Sequence, residues 1–414
     1  MTIPTSSGLR EEANDKLSSA VELRRRLHQW PETGNHLPIT RDTVLEALQG
    51  LPLDIDLHSS TSGFGAVLTG GKPGPTILLR GDMDALPMPE DTGLDFSSKV
   101  DGTMHACGHD THTAMLVGAA KMLSGRRDEL AGRVLFMFQP GEEGHHGAKH
   151  MLAEGLLDLA PLADGTPSPV TGAFALHITS SLPAGMLSVK GGALMASSDH
   201  LLITVHGRGG HASEPHRALD PIPVACEIVQ AMQMMVTRSI DVFDPTIITV
   251  GRITAGTTNN VIPENATIEG TVRAVSEATR KKVHAGIQRV ADGIAAAHDA
   301  TVTVELTLGY PVTSNHNGFA AFATGVAGEI VGADHVFQMP HPVMGAEDFS
   351  YVLEAVPGSM MFLGGTHSDR NPSTAPPNHS NRVTFDEQAM AAGMAIYSAV
   401  AIRHLEQAAA ASNS

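Results

Sequence analysis

Apolar and polar positions change their period along this chain, and the changes divide it into segments. Over residues 13–30, Leu17, Val21, Arg24 and Leu27-His28 fall at helical spacing, and Trp30-Pro31 ends the run, which predicts an amphipathic helix. Short apolar runs then alternate with helical ones. Pro75–Arg80 reads as a buried strand and leads directly into Gly81–Pro87. A helix is predicted over Asp110–Leu123, with Asp110 near its N-terminus and Gly125 as its stop. Arg133–Phe138 is a strand that empties into Glu142-Glu143, and Thr171–Leu176 is another that delivers His177. Strands alternating with helices predict an α/β layer with a mixed, largely parallel sheet flanked by helices, whose sites form past the strands' C-terminal ends.

The middle of the chain reads differently. Strands are predicted at His200–His206, Thr246–Ile253, Ala266–Val272 and Thr301–Leu308, with helices over 216–237 and Glu277–His298. That βαββαβ order is the ferredoxin-like plan, an α+β module of about 110 residues. After Tyr310-Pro311 the α/β character returns and brings in His379. The expected organisation is a discontinuous domain, 1–196 and 310–414, carrying an inserted domain at 197–309.

Chemistry gathers in the first of these. Met104–His112 places Cys107 and His109 two residues apart, with His105 and His112 nearby. An extended loop lets two such side chains converge, which a helix face does not. Thiolate, imidazole and carboxylate are the ligand types that hold zinc and its borderline neighbours. Glu142 and Glu143 supply two carboxylates, one to ligate and one to move a proton, and spacing leaves open which does which. His177 and His379 are weaker signals alone: a histidine ending a buried strand is more often a core residue, and His379 sits in a Pro-rich loop. They gain weight because a catalytic dication needs more than three ligands. Asp82 and Asp84, ending the first strand, are placed to orient ligand imidazoles. His145 and His146 receive no role.

Composition narrows the picture. The 414 residues exceed one comfortable core, and hydrophobic residues make up 42%. Lys+Arg of 27 against Asp+Glu of 44 gives a net charge of −17, which disfavours nucleic acid and anionic membranes as partners. Two cysteines, Cys107 and Cys226, cannot build a disulfide framework and suggest a reducing compartment. Met1–Asn14 lacks a basic start followed by an apolar run, and no stretch approaches the roughly 20 apolar residues of a membrane span, so the cytoplasm is expected. The Ala/Ser-rich tail, Gln407–Ser414, alone resembles disorder.

Taken together, Leu23–Glu32, Arg80–Pro87, Met104–His112, Gln139–Gly144, Leu176-His177, Gly207–Ser213, Asn260–Pro263, Met344–Ser350 and the His379 loop resemble the metal-dependent N-acyl-amino-acid amidohydrolases. That group holds the hippurate and auxin-conjugate hydrolases, within the aminoacylase and carboxypeptidase G2-like metallopeptidases. The resemblance implies a zinc-peptidase-like catalytic domain with an inserted lid and dimerisation domain. It implies two divalent ions (Mn²⁺ or Zn²⁺, with Co²⁺ also suited) on Cys107, His109, Glu143, His177 and His379. It also implies Glu142 as general base, Asp84 as the aspartate that supports the site, and His211 as a histidine that reaches the partner's active site in dimeric relatives. Asn260 and Arg273 match residues contacting a substrate carboxylate. The family usually has alanine where Gly81 stands, a minor departure. The implied partners are a small N-acyl amino acid and a second copy, as homodimer or homotetramer. Rival readings are a dipeptidase or carboxypeptidase, a carbamoyl- or amidine-type hydrolase, and a metal-binding or sensing protein; retention of Glu142, unnecessary for binding alone, argues against the last.

Overall fold

The short apolar runs assemble into one eight-stranded mixed sheet, in the order Leu53–Leu57, Phe64–Thr69, Ala131–Gln139, Lys72–Asp82, Val170–Pro183, Gly358–Thr366, Leu187–Val189 and Val336–Gln338. The structure is a computed structural model and describes residues 6–412. The four central strands run parallel, and antiparallel pairs flank them. Covering both faces of such a sheet demands continuous apolar strands; Ile77, Leu78 and Leu79 are accordingly fully buried. Helices His109–Ser124 and Ala389–Ser412 pack on the sheet, and helix Ser6–Gln29 packs on both. Helices His109–Ser124 and Ala389–Ser412 cross closely. A Cβ on Gly118 would meet Met394 Sδ at 2.0 Å, and one on Gly393 would meet Met115 Sδ at 2.1 Å, so each helix receives a methionine from the other.

Two compact units divide the chain. One holds residues up to Leu194, Ser314–His341 and those from Tyr351 onward; the other holds Met195–Thr313 and Pro342–Ser350. In the second unit, strands Thr246–Ala255, Asn265–Ala274, Asp199–His206 and Thr301–Thr307 lie side by side in that order, all antiparallel. Helices Pro221–Ser239 and Glu277–Ala297 close its core through Val224, Ile228, Met232, Val283 and Ile287 against Leu201, Ile203, Val205 and Ile268. In chain order these elements run β-α-β-β-α-β. Pro342–Ser350 joins this unit because Ala196 N–H bonds the carbonyls of Val343 and Gly345, Arg273 bonds that of Met344, and Thr313 Oγ1 that of Glu347.

Several boundaries differ from the sequence expectation. The helix expected at 216 starts at Pro221, where Asp220 caps Ile222 N–H and proline supplies a ready-made first turn. The first helix begins at Ser6 rather than 13. Gln407–Ser412, expected to be disordered, continues the last helix, as alanine, the strongest helix former, allows. Residues 413–414 of that tail, and 1–5 of the N-terminal segment, lie outside the described residues. Among the described residues no helix is long and apolar enough to cross a membrane.

Candidate metal centre

The strand carrying His177 does not end at Leu176 as expected but runs on to Pro183. Its parallel pairing with Lys72–Asp82 nevertheless stops at Arg80↔Ala175, two residues short of the histidine. His177 therefore stands where its neighbour has left the ladder, and that neighbour's continuation brings in Asp82 and Asp84. The strand on the neighbour's other side, Ala131–Gln139, leads through Pro140-Gly141 to Glu142 and Glu143.

Cys107 and His109 arrive from a sharp turn. Gly108 between them has φ 90°, and a Cβ there would approach Ile178 Cγ2 to 2.3 Å, so only glycine fits. His109 opens the helix after it. Behind it Asp110 accepts Arg24 Nε at 2.7 Å and lies 2.8 Å from His28 Nδ1, a buried network that ties the helix start to the first helix. Burial opposes charge on Asp110, yet Arg24 and His28 hold its carboxyl well below the usual range.

The structure brings the five expected ligands together, all within the first unit. Cys107 Sγ lies 3.4 Å from His177 Nε2 and 3.3 Å from His379 Nε2. Cys107, His109 and His177 form one triad whose ligand atoms all lie within 4.8 Å of one another, and Cys107, Glu143 and His379 form a second. The thiol is common to both. Glu143 Oε1 stands 3.2 Å from His379 Nε2, close enough for an ion pair but outside hydrogen-bond geometry, and 4.0 Å from His109 Nε2. Glu143 Oε1 and His109 Nε2 are both buried without a hydrogen bond. Buried polar atoms are rarely left so, and an orphaned oxygen and nitrogen beside a thiol are the donor set for a dication. The residues fit a pair of metal ions sharing Cys107. Glu142, 5% exposed, has its ligand atom within 4.8 Å of those of His109 and Glu143.

Asp84 and Asp82 both stand against the His109 ring, and each also holds a second group. The Asp84 carboxylate accepts the backbone N–H groups of both Glu142 and Glu143, at 3.0 Å each, and so sets the glutamate loop. His109 Nδ1 donates to the Asp84 carbonyl oxygen at 2.8 Å, which turns Nε2 toward the thiol. Asp82 binds His112 Nδ1 at 2.6 Å and Arg80 at 2.6 Å, and its Oδ2 stands 3.5 Å from His109 Nε2. His112 Nε2 accepts Ile178 N–H at 2.6 Å, so both its nitrogens are occupied and it buttresses His177 rather than ligating. Sequence reading missed Arg80 in this role; a charged residue ending an apolar strand was its signal. His146, given no role, lies 3.0 Å by Nδ1 from the Tyr351 hydroxyl.

In the second unit, His211 pairs with Val261 in a two-stranded ribbon, and Asn260 accepts Ala212 N–H through its carbonyl, which makes His211 and Asn260 neighbours. His211 is exposed, and its Nδ1 accepts Ser213 N–H at 3.1 Å, so the neutral ring carries its proton on Nε2. Arg273 is half-buried and donates to the Met344 carbonyl at 2.8 Å.

Electrostatics make the metal-free centre proton-rich. Burial pushes the Cys107 thiol up. Its contact with Cys107, then Glu143, pushes His379 up to about 10. Burial opposes charge on His109, but Asp82 and Cys107 outweigh it and hold the ring well above its ordinary value. His177 goes the other way: burial, then His112, keeps it neutral, with Nδ1 donating to the Ile178 carbonyl and Nε2 facing the thiol. A dication must displace the protons on Cys107, His109 and His379. Metal affinity should rise with pH through about 10, where half of His379 has lost its proton. Conversely, the metal-free fold should lose the stability tied to protonated His379 over the window from its ordinary value to about 10, because a raised folded-state pKa contributes fully only below the unfolded one. Calorimetric titration with metal in buffers of different ionisation enthalpy counts the released protons; zero release at neutral pH would contradict this ordering.

The chain matches peptidase family M20/M25/M40 over residues 78–403. It is 36% identical over 388 residues to thermostable carboxypeptidase 1 of Saccharolobus solfataricus, covering 92% of this chain and 94% of the relative. It is 36% identical over 390 residues to N-acetylcysteine deacetylase of Bacillus subtilis, covering 93% and 97%. Among solved structures, the YXEP protein of Bacillus subtilis, described as a dinuclear metal-binding peptidase of the M20 family, superposes with a TM-score of 0.79 at 33% identity, over 95% of this chain and 99% of that one.

Proposed function

Since the chain belongs to peptidase family M20/M25/M40, a family of hydrolases, we propose that it cleaves the amide bond of N-acyl amino acids, giving a carboxylic acid and the free amino acid. The observation that carries this reading is the pair of triads sharing Cys107, with Glu142 beside them. Cys107, His109 and His177 would hold one dication, and Cys107, Glu143 and His379 the other; Mn²⁺, Zn²⁺ and Co²⁺ all suit such donors. When bound, the ions supply Lewis acidity, polarising the scissile carbonyl and making water a stronger acid.

The chain's own residues do the rest. Glu142 takes a proton from the attacking water as its oxygen bonds the amide carbon. It then gives that proton to the leaving nitrogen as the carbon–nitrogen bond breaks. Asp84 fixes the loop that carries Glu142 and Glu143 by accepting both their N–H groups. The Nε2–H of His211, from a second copy in a homodimer formed through a ferredoxin-like second unit, donates to the developing oxyanion. Asn260 and the Arg273 guanidinium hold the substrate's carboxylate and fix its approach.

The test is a panel of N-acetyl-amino acids, N-benzoyl-amino acids and dipeptides, assayed on enzyme stripped of metal and then reloaded. Amino-acid release from the acylated substrates, absent after stripping and restored by reloading, is the expected result. Turnover confined to dipeptides would favour the carboxypeptidase-like reading, which the Saccharolobus solfataricus relative supports. Hydrolysis of none of them would leave a carbamoyl- or amidine-type hydrolase or a metal-binding protein.

A further inference from the structure

The side chain of Asn378 ties together two of the segments that carry the proposed ligands and stands next to a third, His379. Its Nδ2 donates to the Cys107 carbonyl at 3.1 Å and to the Ile178 carbonyl at 3.0 Å. Its Oδ1 accepts Ser180 N–H at 3.1 Å and lies 3.4 Å from Ser180 Oγ. Both amide hydrogens and the amide oxygen are therefore in use, and a side chain without that planar set of donors and acceptor cannot repeat the pattern. The partners lie 271, 200 and 198 residues away in sequence.

Each contact bears on a different ligand. The Cys107 carbonyl belongs to the shared thiol residue itself. The Ile178 carbonyl also receives His177 Nδ1 at 2.7 Å, so His177 and Asn378 occupy its two lone pairs, and the amide fixes the group that turns the imidazole toward the thiol. His379 follows Asn378 directly, with φ 69°, a left-handed conformation that non-glycine residues seldom adopt. The N–H of His379 bonds the Ala106 carbonyl at 2.9 Å. The His379 side chain is itself 53% exposed, so packing does little to aim it. Its direction comes from a backbone pinned on one side by Ala106 and on the other by the amide of Asn378.

The geometry points to Asn378 as a positioning residue that sets the mutual spacing of Cys107, His177 and His379, and through them the affinity of both cation sites. The inference rests on the reading of these residues as metal ligands. Asn378 acts through the ligands it positions. An amide that merely tied a loop to the sheet would affect folding without affecting metal, and the two roles separate experimentally.

The experiment titrates cobalt(II) into metal-free wild type, Asn378→Ala and Asn378→Leu, the last matching the native side chain in size without its polar atoms. Affinity, stoichiometry and the sulfur-to-cobalt charge-transfer band are read together with thermal unfolding of the metal-free chains. The expected result is cobalt affinity lowered about 10- to 100-fold in both variants. The charge-transfer band should weaken at matched loading, while metal-free unfolding stays near wild type. Variants that bind cobalt as wild type does, with the same band, would overturn the inference. Affinity losses seen only in variants that are already unfolded without metal would overturn it too, because the amide would then serve the fold first. A wild type that binds no cobalt would instead sink the metal-ligand reading and leave the role of Asn378 without its premise.

Discussion

Replacing Glu142 with glutamine should leave both metal ions bound and cut amide hydrolysis by about 100- to 10,000-fold, the usual contribution of a positioned acid–base group. The loop itself should survive the change. Asp84 holds Glu142 by its backbone N–H, not by its side chain, and glutamine keeps the size of a residue that is only 5% exposed. What is lost is a carboxylate able to accept a proton and return it. Metal analysis by mass spectrometry, paired with turnover on an acylated amino acid, separates the outcomes. Full activity would remove Glu142 from the mechanism, and loss of metal would make it a ligand. The same variant tests the dimer: mixed with His211→Ala chains, it should regain part of the activity, since one site of each hybrid would then combine an intact Glu142 with an intact His211. Mixtures that stay inactive would place both residues' action within one chain.

Cys107→Ala should abolish tight binding of both ions, not one. Its sulfur is the only ligand atom common to the two triads, so its removal leaves two incomplete sites, each with two donors. Losing an outer partner of a ligand typically costs about 10- to 100-fold in affinity, and losing the shared ligand should exceed that. The fold should tolerate the change, because alanine adds no bulk to a buried position at the end of a glycine-dependent turn. Equilibrium dialysis gives the stoichiometry. A variant that keeps one ion at wild-type affinity would show that the sulfur serves a single site.

How much of this was legible in the sequence depends on how local each signal is. The parallel strands, the Cys107–His109 turn and the Glu142-Glu143 loop were readable because each is one contiguous run whose apolar strand ends at its own polar group. The α/β architecture followed from the same alternation. His177 was found for a partly mistaken reason: its strand does not stop, but its neighbour's pairing does, and pairing register is not written in one strand's residues. The division of labour between Asp82 and Asp84 was invisible because it depends on distant groups converging: the N–H groups of 142 and 143 on the Asp84 carboxylate, the His109 imidazole on the Asp84 carbonyl, and the His112 imidazole on the Asp82 carboxylate. Asn378 had no local signal at all, since its partners are main-chain carbonyls some 200 residues or more away. The alanine-rich tail misled by composition: low complexity read as disorder, whereas alanine extends the helix that covers the sheet.

The proposed centre depends on Cys107 serving both sites, with His109 and His177 completing one and Glu143 and His379 the other. Metal-edge X-ray absorption on chain loaded with two equivalents of zinc tests it directly. Every zinc should see one sulfur, at about 2.3 Å, together with a zinc–zinc scattering path. Spectra fitted by nitrogen and oxygen alone, or sulfur at half of the metal with no second zinc in view, would contradict it.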